Sequence, residues 1–156
     1  MKNKFMLWAV GLLISAGLSA QKINNDKVPA AVMSAFKAKF PAVTNATWEL
    51  ESKTEYEASF KLNGTEVSAN FDNTGKWLET ETEIKIADLP AAILATLRKD
   101  FAGYKVEEAA KIESVKTGSC YEAELKKDNE TFDALFTADG KLLSKTKEGH
   151  EKGKKD

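Results

Sequence analysis

"FDNTGKWLETETE" (Phe71–Glu83) and "FTADGKLLSKTKE" (Phe136–Glu148) share one layout: a phenylalanine, a polar turn closing on glycine and lysine, then an alternating run. A layout written twice in a chain of 156 residues signals a duplicated unit, and that reading decides the fold. Upstream, "VPAAVMSAFKAKF" (Val28–Phe40) aligns with "LPAAILATLRKDF" (Leu89–Phe101), and "YEASF" (Tyr56–Phe60) aligns with "YEAEL" (Tyr121–Leu125). The first pair is offset by 61 positions and the second by 65. The extra residues fall in loops, where insertions cost little.

Each copy opens with a helical pattern. Val28, Val32, Ala35, Phe36 and Phe40 form one apolar stripe, and Leu89, Ile93, Leu97 and Phe101 repeat it. Pro29 and Pro90 suit a helix start, where a missing N–H goes unnoticed. After the helix the period becomes two. Trp48 and Leu50 alternate with Glu49 and Glu51, and Tyr56, Ala58 and Phe60 alternate with Glu57, Ser59 and Lys61. Val67, Ala69 and Phe71 alternate with Ser68 and Asn70, and Leu78, Thr80 and Thr82 alternate with Glu79, Glu81 and Glu83. Asn63-Gly64 is a two-residue hairpin signal, and Asp72-Asn73-Thr74-Gly75 reads as a turn ending in left-handed glycine. The expected class is therefore α+β, as two tandem α-β4 repeats with helices packed on one face of antiparallel sheet.

The ends read differently. Lys2 and Lys4 precede an apolar run from Phe5 to Leu18, with Ser19-Ala20 ahead of Gln21: a secretory signal peptide over residues 1–20. The run is too short to span a bilayer. The expected organisation is repeat 1 over 21–84, repeat 2 over 85–148 and a disordered polar tail over 149–156. Cleavage near Ala20-Gln21 sends the product to the periplasm or the medium. The 23 basic and 24 acidic residues leave no basic field for nucleic acid, and no membrane span is expected in the mature form. Cys120 has no second cysteine to pair with.

The quoted pieces resemble the PepSY-like family of secreted bacterial proteins, also described as β-lactamase-inhibitor-like. The matching residues are Val28-Pro29, Phe40-Pro41, Trp48, Tyr56-Glu57, Phe71-Asp72, Gly75-Lys76 and Leu78. In the second copy Ala102 replaces the proline, Ile112 the tryptophan, and Thr137 the aspartate. The resemblance implies an architecture similar to the β-lactamase inhibitory protein, in which the sheet face opposite the helices grips a partner.

No catalytic set is visible. The only histidine, His150, lies in the polar tail, and no histidine is placed to activate Cys120. Glu49, Glu51, Glu55, Glu57, Glu79, Glu81 and Glu83 alternate with apolar residues and read as a solvated acidic face. No metal and no cofactor is expected, and Asp72–Gly75 reads as a turn. Between Val28 and Ile84 nine acids face five lysines, so a docking partner there is expected to carry a basic patch. If Leu78 points to the core, Trp77 lies on the opposite face beside Glu79 and Glu81, as a binding hot spot would. The other reading puts Trp77 in the core or against the other repeat. The sequence reading is thus an exported, non-enzymatic binding module, a hydrolase- or peptidase-inhibitor-like partner. Its expected contact residues are Trp77, Glu79 and Glu81, with Glu49 and Glu57 as rim. The alternatives are a periplasmic small-molecule or cation carrier, and a structural envelope protein without a discrete site.

Overall fold

The computed structural model describes residues 21–147, so the expected signal peptide and the whole of the expected polar tail, His150 included, lie outside the described residues. Helices α1 (Ala30–Lys39) and α2 (Ala91–Asp100) begin directly after Pro29 and Pro90. Val32 and Phe36 of α1, and Ile93 and Leu97 of α2, are the buried residues of the two stripes. Nine strands accompany them: β1 (Gln21–Ile23), β2 (Thr47–Ser52), β3 (Glu55–Leu62), β4 (Thr65–Asp72), β5 (Trp77–Glu83), β6 (Lys105–Ser114), β7 (Gly118–Lys127), β8 (Glu130–Phe136) and β9 (Leu142–Lys147).

The expected fold class is corrected here. The strands do not form two separate four-stranded meanders under helices. They belong to one nine-stranded sheet in sequential order, β1 to β9, and strand far outweighs helix. Two features were not foreseen. Residues 21–23 form a strand, with Gln21 opposite Leu50 and Ile23 opposite Trp48. Beyond β5 the ladder does not stop: Val115 donates its N–H to the Leu78 carbonyl at 2.9 Å, and Ile84 donates to the Ala109 carbonyl at 2.9 Å. Pairing satisfies backbone groups that a bare edge strand would leave open to association.

By contacts the chain divides into two compact units. One holds the described residues up to Glu83 together with Ile112–Gly118, and the other holds Ile84–Lys111 and the described residues from Ser119 onward. The first unit has a core of Val28, Val32, Phe36, Phe40, Trp48, Ala58, Phe60, Val67, Ala69 and Phe71. Phe36 is its hub, with ring centroids 5.2 Å from Trp48 and Phe60, 5.5 Å from Phe40 and 6.3 Å from Phe71. Each such side chain removed from water contributes about 1.5–3 kcal/mol. In the second unit Phe101 packs on Tyr104, Phe132 and Phe136 at 5.9–6.4 Å. There Ala109, not Ile112, joins the core as Trp48 does in the first, because the copies follow the 61-residue offset up to this strand.

The repeated glycine–lysine turn has a packing cause. Gly75 (φ +86°) and Gly140 (φ +84°) sit against the first turn of a helix. A Cβ at Gly75 would lie 2.6 Å from the Ala31 carbonyl oxygen, and one at Gly140 2.7 Å from that of Ala92. Only glycine satisfies both the left-handed backbone and the close approach. Asp72 organises the first turn, its Oδ1 accepting from the Thr74 N–H at 2.8 Å and the Lys76 N–H at 3.1 Å. In the second copy the Thr137 hydroxyl takes this place, accepting from the Lys141 N–H at 3.2 Å. That substitution preserves the turn.

The acidic sheet face as candidate functional site

Period-two alternation sends Ala58, Phe60, Val67, Ala69 and Phe71 toward α1, and Glu57, Ser59, Ser68 and Asn70 to the other face of β3 and β4. Strand register then lines up side chains on that helix-free face. Glu49 stands opposite Glu57, Glu57 opposite Asn70, and Asn70 opposite Glu79. The neighbouring row runs Thr47, Ser59, Ser68 and Glu81. Glu49, Glu57, Glu79 and Glu81 therefore share one face.

Trp77 does not lie among them. The pairing shifts between Asn70 and Phe71, so that Asn70 faces Glu79 while Phe71 faces Trp77, and Leu78 is the extra residue of a β-bulge. The bulge reverses parity, and Trp77 turns to the helix side, half-buried against the first core. Lys39 Nζ lies 4.0 Å from the centre of its ring system, and its indole N–H donates to Thr80 Oγ1 at 2.9 Å. The expectation that alternation carries Trp77 beside Glu79 and Glu81 is corrected on this ground.

The expectation of a solvated acidic face is corrected as well. Glu57 and Glu81 are each 3% exposed, and Ser68 and Asn70 are buried beside them. Sequence reasoning placed Glu51 and Glu55 on the acidic face without making them contact residues, and it missed Asn70, Ser59 and Ser114 as members of the site. Asn70 Nδ2 donates to Glu55 Oε1 at 3.1 Å, and Ser59 Oγ donates to Glu57 Oε1 at 3.2 Å. The Ser114 hydroxyl bonds Glu79. The available signal was the density of glutamates at same-face positions on adjacent strands, with serine and asparagine between them.

Burial among like charges holds these acids toward the neutral form. Burial, followed by the charge of Glu51, pushes Glu57 up to about 8, against the pull of the Ser59 hydrogen bond. Glu51 is raised by burial and by Glu49 and Glu55, and Glu79 is raised chiefly by burial. Oε2 of Glu57 is buried with no donor against it among the described residues. The Glu51 carboxyl lies within hydrogen-bonding reach of Glu57. Among the described residues no three acidic, histidine or cysteine side chains are arranged as a metal shell.

The second unit changes this row. Glu122 faces Leu135, and Leu135 faces Ser144, in the positions that Glu57, Asn70 and Glu79 hold in the first. Cys120 is buried.

A family model described as "Putative beta-lactamase-inhibitor-like, PepSY-like" matches residues 18–63 and 54–144. The chain belongs to this family. Among solved structures, a BLIP-like protein from Bacteroides fragilis is similar at 26% identity and a TM-score of 0.67, covering 79% of this chain and 90% of that one. A DUF2874 family protein from Bacteroides uniformis is similar at 23% identity and a TM-score of 0.69, covering 76% and 88%. A third, described as "putative periplasmic proteins" from Bacteroides eggerthii, is similar at 22% and 0.70, covering 77% and 88%. No curated protein matches the sequence. Membership in the PepSY-like family points to a binding or inhibitor-like module. Among the described residues no helix is long and apolar enough to cross a membrane.

Proposed function

We propose that this PepSY-like protein is an exported, non-enzymatic binding module that docks a basic surface of a protein partner on the helix-free face of its first unit. Inhibition of a hydrolase by covering its active site is the outcome this reading favours. The observation that carries it is the row Glu49, Glu57, Asn70, Glu79, in which two glutamates stand directly opposite each other on paired strands. Like charges so placed destabilise a sheet. Local rules are broken in this way at functional sites, with compensation elsewhere in the fold.

The test is capture of envelope proteins on the immobilised chain, with a charge-reversed Glu49→Lys/Glu79→Lys variant of preserved circular dichroism in parallel. A hydrolase retained by the wild type, released by salt and lost by the variant supports the reading. Equal retention by both contradicts it.

A further inference from the structure

We propose that the half-buried carboxylates of Glu49, Glu51 and Glu55, floored by Glu57, form a seat for one lysine or arginine side chain of a protein partner. This rests on the docking role proposed above and deepens it. Among the described residues Glu57 lacks a cationic partner. It is 3% exposed, and with every carboxyl ionised its Oε2 meets no donor among the described residues. The groups facing it are Glu49 and Glu51 from β2, Glu55 and Ser59 on its own strand, and Asn70 from β4, with Glu79 of β5 beyond Asn70. Of these, Asn70 spends its amide on Glu55. Lys22 stands opposite Glu49 on β1 without closing an ion pair, and Lys116 acts on Glu79. Among the described residues no lysine or arginine is ion-paired with Glu49, Glu51, Glu55 or Glu57.

Two kinds of cation pair with such a group. A divalent ion needs several oxygens converging on one point, and the described side chains are not so arranged. An ammonium or guanidinium group instead carries several separate donors and meets carboxylates one by one. Glu49, Glu51 and Glu55 are spread along two strands with their side chains half in solvent, which suits that second geometry.

Docking of a cation favours the ionised form of the acid beneath it. Glu57 holds its proton up to about pH 8 in the free protein. Seating the partner's side chain therefore releases that proton, and affinity rises with pH by up to about tenfold per unit below the midpoint. The proton goes to solvent and no other bond changes.

The experiment is a 13C NMR titration of the glutamate side-chain carboxyls of the exported protein, with Glu57→Gln to assign the Glu57 signal. It is run alone, with a blocked pentapeptide bearing one arginine, with its citrulline counterpart, and with calcium chloride, each in the millimolar range expected of a single contact. The expected result is a lowered Glu57 midpoint and shifted Glu49, Glu51 and Glu55 signals with the arginine peptide, and neither with citrulline. Binding of the arginine peptide to Glu57→Gln then loses its dependence on pH. An unmoved Glu57 midpoint with arginine overturns the seat, as does an equal response to citrulline or a response to calcium alone. If a captured partner is still lost on Glu49→Lys/Glu79→Lys while the arginine peptide has no effect, the seat is wrong and the docking role stands.

Discussion

Glu49 and Glu57 stand directly opposite each other on paired antiparallel strands, on the face of the sheet that α1 does not cover. Two carboxylates at this spacing repel, and burial of Glu57 removes the water that would screen them. The arrangement persists because one of the acids stays neutral. That proton has consequences for stability.

Stability falls as pH rises. The folded chain holds the Glu57 proton up to about pH 8, while the unfolded chain releases it near the ordinary 4.5. Between those values the folded state binds more protons, so its advantage is full below about 4.5, declines through the window and is lost above 8. Glu51 and Glu79 are raised and act in the same direction. Urea unfolding at pH 5, 7 and 9 checks this, with a loss of roughly 3–5 kcal/mol expected from Glu57. A stability that rises over this range would contradict it.

Glu57→Gln removes the ionisable group and keeps a polar side chain of the same shape. The variant is expected to match the wild type near pH 5 and to exceed it by roughly 2–4 kcal/mol near pH 9. Parallel denaturant curves at the two pH values decide the matter.

Trp77→Ala is expected to cost about 2 kcal/mol, less than truncation of a fully buried aromatic, since the ring is half-buried under Lys39. Docking on the acidic face is expected to survive, because the side chain lies on the helix side. A neutral effect on folding together with lost partner binding would place Trp77 in the contact after all.

Gly64 and Gly75, both left-handed, should differ. Gly64 has open space where a Cβ would go, so Gly64→Ala carries only the backbone penalty, about 1 kcal/mol. Gly75→Ala adds a 2.6 Å approach to the Ala31 carbonyl, and a cost of about 3 kcal/mol or more is expected. Equal thermal shifts for the two variants would contradict the packing account of the repeated turn.

Much of this fold is legible from residue order alone. The Val32–Phe36 and Ile93–Leu97 stripes, the Asn63-Gly64 hairpin and the second copy of the glycine turn all rest on local periodicity and turn chemistry. The position of Trp77 is not legible, because one extra residue at Leu78 reverses parity and "WLETETE" reads equally well either way. The same shift between Leu135 and Phe136 hides behind Leu142-Leu143, where both candidates are apolar. Joining of the strands into one sheet depends on backbone bonds such as Val115 to Leu78, which no side-chain pattern records. Burial of Glu57 escapes for another reason. Alternation identifies the face a residue is on, but not how closely Glu49, Glu51 and Asn70 crowd it.

The most direct measurement is the titration midpoint of the Glu57 carboxyl in the free protein, followed by 13C NMR from pH 4 to 10. The account predicts a midpoint near 8, the mark of a carboxyl buried among carboxylates and held for a cation to displace its proton. A midpoint near the ordinary 4.5 would show the face open to water, and the acidic row would then be a solvated surface with no docking role built into it.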